Sequence, residues 1–362
     1  MAKPIRVGIT HGDINGISYE IILKTLADER ILELCTPVIF GSSKLMTYFR
    51  KNLNLEEIRF SQVRDGEISD GEINLVNISQ EEFKVDCGQP TEESGRAAIL
   101  SLETAVDALR NGMIDILVTA PINKYAVQND KFQFVGHTEY LQSAIGNEGD
   151  HALMVLFDDF VRVALVTTHK SIRELPDSIT KDSVLDTIRR FNSTLKRDFA
   201  FDCPRIAVLS FNPHNGDNGL LGDEEQTAVI PAIAEAQNDG IVAFGPYAAD
   251  GFFGSGAYEK FDGVVAMYHD QGLAPFKALA ENRGVNFTAG LPFVRTSPDH
   301  GTGYDIAGKN VADPTSMREA IYKGIDIYRN RRAFDRASAH PLRKQYVERG
   351  ADKTVDLTKE EL

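Results

Sequence analysis

Short apolar runs alternate with helix-patterned stretches along this 362-residue chain, and that alternation constrains the fold more than any other feature. A strand covered on both faces reads as an unbroken apolar run, and helices are what cover both faces of a parallel sheet. Residues 5–10 read as the first strand, followed by a loop holding Gly12 and Gly16 and a helix over about 19–26. Residues 37–40 are a second strand. Residues 91–109 carry the strongest helical pattern: Thr91 is a ready N-cap, Glu92 and Glu93 suit the positive helix start, and Asn111-Gly112 stops it. Further strands are expected at 115–119, 205–211, 241–244 and 263–268, with helices at 183–195, 224–237 and 316–329. The runs 152–157 and 161–167 flank Asp158-Asp159 with hairpin spacing. Residues 55–85 read as short, irregular strands, 277–297 as a loop-rich stretch, and 331–362 as a charged peripheral tail or terminal helix.

With 39 Lys+Arg against 53 Asp+Glu the net charge is −14, which argues against nucleic acid as the main partner, since phosphate backbones need a basic surface. Small anions remain open, because a few local cations and backbone N–H groups suffice for them. No apolar run is long enough for a membrane span. Residues 1–6 run straight into the first strand and leave no room for a signal peptide, so a cytoplasmic location is expected. Cys35, Cys87 and Cys203 form neither a disulfide framework nor a zinc motif and are expected to be buried small hydrophobes. With no repeat and no low-complexity linker, any domain boundary must be crossed by ordinary short loops, more than once.

The histidines carry the chemistry. His169, His214 and His269 each sit just past the carboxyl end of a hydrophobic run, the edge where open α/β sheets bind ligands. Three imidazoles there can converge on one metal ion, and a nitrogen-rich set suits zinc, cobalt, nickel, manganese or iron better than magnesium. Asp270 and Asp250 stand where they could orient a histidine or join the ligands, or simply cap loops. Lys277, Asn286 and Arg295 offer two cations and an amide to a phosphate or carboxylate. Residues 297–308, with three glycines around an aromatic, suit a loop that lets a ligand approach the backbone. Neither GxGxxG nor GxxxxGK(S/T) occurs, so a dinucleotide, if bound, is not bound in the Rossmann manner. Gly12 and Gly16 fit a tight strand-to-helix turn better than a phosphate cradle.

Taken together, 9–16, 119–124, Gly136-His137-Thr138-Glu139, Thr168-His169, Asn212-Pro213-His214, 268–272 and 290–297 resemble the PdxA family, the 4-hydroxythreonine-4-phosphate dehydrogenases of vitamin B6 biosynthesis. The likeness covers nearly the whole chain. It implies His169, His214 and His269 as metal ligands, and His137, Thr138, Lys277, Asn286 and Arg295 as substrate-binding residues. It also implies a homodimer with the site at the subunit interface, so the three ligands need not come from one chain. His300-Gly301 and residues 305–309 are similar to the adenosine-binding loop of isopropylmalate and isocitrate dehydrogenases, which places His300, Gly301, Asp305 and Gly308 against the cofactor and explains the missing fingerprint.

The fold then implied is α/β, with two α/β/α domains and a cleft between them. Residues 1–115 plus 265–362 form the domain with the cofactor loop, and 116–264 the one with metal ligands and dimer interface. The reaction implied is oxidation of 4-phosphohydroxy-L-threonine to 2-amino-3-oxo-4-phosphooxybutanoate, which decarboxylates to 3-amino-2-oxopropyl phosphate. NAD or NADP takes the hydride, with a divalent Zn, Co, Mn or Mg ion. Asp250 and Lys277 are the candidate proton acceptors. Asn15, Ser18 and Tyr19 stand where the family has small or rigid residues, which bears on substrate specificity. Three alternatives remain: a 4-phosphoerythronate or 4-phosphothreonate dehydrogenase of sugar-acid catabolism, a metal-dependent hydrolase, and a ligand sensor on the same fold.

Overall fold

The computed structural model describes residues 3–128, 133–134 and 136–340, so the charged stretch from 341 on lies outside the described residues. The strands are β1 (Arg6–Thr10), β2 (Thr36–Gly41), β3 (Ser61–Gln62), β4 (Asn74–Asn77), β5 (Ile116–Thr119) and β6 (Leu153–Phe157). They continue with β7 (Arg162–Leu165), β8 (Arg205–Leu209), β9 (Val242–Tyr247), β10 (Gly263–Ala266), β11 (Val285–Ala289) and β12 (Val294–Pro298). All twelve join one sheet in the order β3-β4-β2-β1-β5-β12-β11-β6-β7-β10-β8-β9.

The strands from β3 to β12 in that order run parallel, as do β7, β10, β8 and β9. Between these groups β11 is antiparallel to β12 and β6, and β6 is antiparallel to β7. The direction of the sheet therefore reverses at its centre. Residues 116–119 lie with the first group, because β5 pairs with β1 and β12.

Local chemistry accounts for the elements. The helix Glu92–Arg110 opens on a reciprocal capping box between Thr91 and Ser94, and its buried residues recur on one face against β1, β2 and β5. β6 and β7 form the expected hairpin, closed by Asp158, whose Oδ1 accepts from the N–H groups of Phe160 and Val161 at 2.8 Å each. Gly12 is left-handed at φ 63°, and a Cβ there would meet the Pro121 carbonyl oxygen at 2.4 Å. A Cβ on Gly16 would meet the Thr302 carbonyl oxygen at 2.4 Å. Both glycines thus permit close passage of other backbone, as the turn reading has it.

Three expectations need correction. The stretch 277–297 is not loop-rich: Lys277 lies on the helix His269–Ala280, while Asn286 and Arg295 lie on β11 and β12 at the centre of the sheet. Two five-residue strands joined by Gly290 and Pro292 give too little alternation to stand out from the loop chemistry around them. Second, only Cys35 is buried; Cys87 and Cys203 are exposed. Third, the helix expected at 316–329 runs on as Thr315–Ser338 into the charged stretch, as the terminal-helix alternative has it, but Arg331 on it is buried rather than peripheral. Its guanidinium pairs with the buried Asp198 carboxylate at 2.8 and 3.1 Å and donates to the Leu291 carbonyl. Local charge density cannot reveal a partner 133 residues away.

Candidate active site

Pleating puts every second residue on one face. Register places Leu156 opposite Asn286, Met154 opposite Thr288, and Asn286 opposite Ser297, with Arg295 two residues before Ser297 on the same face. Thr119 joins them, two residues beyond the Leu117 that pairs with Arg295. Over this face, where the sheet reverses, lies a cleft of about 290 Å³. Residues 120–124, the start of the helix His137–Ile145, the helix His269–Ala280 and residues 298–301 complete its walls.

Arg295 dominates the floor. It is 3% exposed, and its guanidinium donates to the Thr119 hydroxyl from Nε at 3.0 Å and to the Thr288 hydroxyl from Nη1 at 3.0 Å. These are neutral acceptors, so a buried cation has only hydroxyl dipoles to replace water. Burial lowers its pKa to about 10, and the nearby Glu139 carboxylate only partly opposes that. Four polar atoms of residues lining the cleft are sealed from solvent without a partner: Asn286 Oδ1, His137 Nε2, Glu139 Oε2 and His300 Nε2. Burial, then the Arg295 and Lys124 charges, hold His137 well below the usual histidine range, so its ring is neutral near pH 7. Lys277 and Thr138 also line the cleft, and Lys277 Nζ donates to the Asp299 carbonyl at 2.7 Å. The five residues expected to bind substrate thus share one cavity, with a cationic floor matched to an anion.

The metal expectation meets the fold differently. β7, β10 and β8 are parallel neighbours, so His169, His269 and His214 leave the same sheet edge. His169 and His269 come together at the cleft, ring centroids 6.3 Å apart. His214 does not line it. It opens a left-handed run, His214 to Asn218, in which every φ lies between 43° and 73°. Among the described residues no three His, Cys, Asp or Glu side chains form a metal-binding cluster. The two that meet nonetheless fit a divalent ion. His169 Nδ1 is 3.3 Å from Glu139 Oε1 and His269 Nδ1 is 2.7 Å from Asp270 Oδ1. A carboxylate only accepts, so each Nδ1 carries the proton and each Nε2 holds the lone pair a metal takes. Asp250 lies apart, in a separate pocket with Phe211, Phe253 and Tyr268.

The loop 300–309 rests on the first strand-to-helix turn. Ile17 N–H donates to the Thr302 carbonyl at 2.9 Å, and the Tyr304 hydroxyl donates to Asp13 at 2.7 Å. His300 and Gly301 line the cleft, while Asp305 and Gly308 are exposed beyond it. His300 Nδ1 donates to the Gly301 carbonyl at 2.9 Å, so its sealed, unpartnered Nε2 offers a lone pair, and Asp305 presents an open carboxylate; both are acceptors, which fits the hydroxyl and amino donors of a dinucleotide.

A family model described as pyridoxal phosphate biosynthetic protein PdxA matches residues 33–323. The chain belongs to the PdxA family. A 4-hydroxythreonine-4-phosphate dehydrogenase of Bacteroides thetaiotaomicron is 54% identical over 349 residues, covering 96% of this chain and 95% of that one. One from a Sulfurihydrogenibium species is 40% identical, covering 91% of this chain and all of that one. Among solved structures, a putative 4-hydroxythreonine-4-phosphate dehydrogenase of Salmonella typhimurium superposes with a TM-score of 0.77 at 33% identity, covering 90% of this chain and 100% of that one. The enzyme of that name from Klebsiella pneumoniae gives 0.74 at 33% identity, covering 90% and 98%. The chain is therefore an oxidoreductase on the PdxA fold.

Sequence reasoning passed over Thr119, Thr288, Lys124 and Glu139. The two threonines matter only once β5, β12 and β11 are adjacent, and no local pattern announces that. Lys124 and Glu139 sit within motifs 119–124 and 136–139, and their charge was the available signal. The departures at Asn15, Ser18 and Tyr19 prove internal. Asn15 is buried and bonds to the Gln89 carbonyl, Thr91 and the Asp86 N–H; Tyr19 stacks between His11 and Phe49. None of the three lines the cleft.

Proposed function

We propose that this PdxA-family enzyme oxidises the C3 hydroxyl of 4-phosphohydroxy-L-threonine, giving a β-keto acid that loses CO2 to 3-amino-2-oxopropyl phosphate in pyridoxal phosphate biosynthesis. The single observation that carries this reading is Arg295, a buried guanidinium with hydroxyl partners only, facing a cleft of small-molecule size. A phosphate dianion supplies the charge it lacks. Asn286, Lys277 and the His137-Thr138 helix start surround the same space, so the phosphate end is held from several sides and the reactive carbon is oriented by a remote group.

His169 and His269 would hold a divalent ion at the other end of the cleft, and His300, Gly301, Asp305 and Gly308 would hold NAD or NADP at its rim. When bound, the ion supplies a Lewis acid for the C3 hydroxyl and the nicotinamide supplies a hydride acceptor. Of the two candidate proton acceptors, Lys277 lines the cleft and would take the hydroxyl proton only in its uncharged amine form, while Asp250 lies outside the cleft within one chain. The third metal ligand, His214, would come from a second copy, which makes the working unit a homodimer.

The test is reduced-nicotinamide formation by the purified protein with added divalent metal, on 4-phosphohydroxy-L-threonine beside 4-phosphoerythronate and 4-phosphothreonate. Metal-dependent turnover of the amino substrate is expected. Turnover of the amine-free acids alone would reassign the substrate and leave the phosphate site standing.

A further inference from the structure

Lys124 has no role in the reading above, yet it stands at the centre of the cleft's electrostatics. Its Nζ lies 3.0 Å from His169 Nε2. An ammonium only donates and the Glu139 side holds the His169 proton on Nδ1, so Lys124 occupies the one lone pair that ring has to offer. With Glu139 on one nitrogen and Lys124 on the other, His169 is closed to a metal as it stands. A divalent ion and an ammonium cannot share that nitrogen, and their charges repel at such a distance. Lys124 is exposed on a flexible stem, so it can leave.

Substrate chemistry says where it goes. The phosphate end is served by Arg295, Asn286 and Lys277. The C3 hydroxyl belongs at the metal, beside His169. The carboxylate sits on the carbon next to C3, so it must lie near the metal too, where Lys124 is the cation adjacent to His169. We propose that Lys124 is an exchangeable cation: it holds His169 Nε2 while the site is metal-free, and binds the substrate carboxylate once a divalent ion has displaced it. The proposal rests on His169 being a metal ligand. It makes Lys124 a specificity residue that couples metal loading to substrate binding, and such coupling is reciprocal.

The consequence is a pair of effects of opposite sign. In Lys124→Met, Mn2+ should bind the substrate-free full-length protein about three- to tenfold more tightly, the worth of one competing hydrogen bond. The factor by which 4-phosphohydroxy-L-threonine, without cofactor, tightens Mn2+ should shrink about tenfold or more, because the carboxylate has lost its partner. Titration calorimetry reads both, and Lys124→Gln, still polar but uncharged, should move them the same way. A purely structural lysine would weaken both or neither. Unchanged or weaker Mn2+ affinity in the substrate-free variants overturns the proposal, as does full retention of the substrate effect. His169→Ala separates the two levels: wild-type Mn2+ affinity in that variant removes His169 as a ligand, whereas lost binding there with unaltered Lys124→Met removes only the exchange.

Discussion

Replacing Arg295 by Met tests whether the cleft floor is built for a ligand or for the fold. The folded-state pKa, lowered from its ordinary value to about 10, means the ligand-free protein holds the charged form at a cost of about 3 kcal/mol. The sign follows from the direction. A base whose folded pKa lies below its unfolded one destabilises the fold at every pH below about 10, and the penalty fades only as pH rises through the folded and then the unfolded value. Methionine keeps the apolar stem and removes the charge. Thr119 loses two donors and Thr288 one, roughly 1 kcal/mol apiece. The net change in ligand-free stability should therefore be small, within about 2 kcal/mol of zero. Transition-state binding should respond very differently. Truncating one partner of a buried, hydrogen-bonded charge pair costs about 2–5 kcal/mol, which lowers kcat/KM for the phosphorylated substrate at least roughly thirtyfold. Urea unfolding at pH 7 and steady-state kinetics, run on the same preparations, give the two numbers. Strong destabilisation with an unchanged kcat/KM would refute the reasoning and make Arg295 a structural cation.

Two further outcomes are expected. His269→Ala should lower bound divalent metal, measured after dialysis by atomic emission, together with activity; retained metal at wild-type stoichiometry would remove His269 from the ligand set. Asp198→Ala should destabilise the protein by about 3–5 kcal/mol in denaturant, because it strands the buried Arg331 charge, while the substrate KM stays near wild type.

Legibility in the sequence tracked the range of the interaction. Features set within a few residues were readable, such as the Thr91 cap, the Asp158 hairpin and the histidines that follow β7, β8 and β10. Features set by pairing across the sheet were not. β11 and β12 are short strands between glycines and prolines, and they read as loop until their partners β5 and β6 are known. Arg295 illustrates the difference: its type and motif marked it as an anion ligand, but only the β5–β12–β11 pairing shows that its hydrogen bonds go to two neutral threonine hydroxyls. The resemblance to PdxA supplied residue roles that spacing alone left open, and it could not supply Lys124.

The third histidine brings these threads together. One sheet edge delivers His169, His269 and His214 from adjacent strands, yet the chain spends four left-handed non-glycine residues to carry His214 out of the cleft. His, Asn and Asp adopt this conformation more readily than other non-glycine residues, yet four of them in one run still need an anchor. The buried Glu225 carboxylate provides it, accepting from the Phe211 and Asn212 N–H groups at 2.7 Å each and from the Asn212 amide at 3.0 Å. A turn so held carries His214 away from the cleft. On the reading proposed above, a chain that keeps two imidazoles at its own cleft and turns the third away would complete its metal centre with the His214 of a second copy rather than by rearrangement within a single chain.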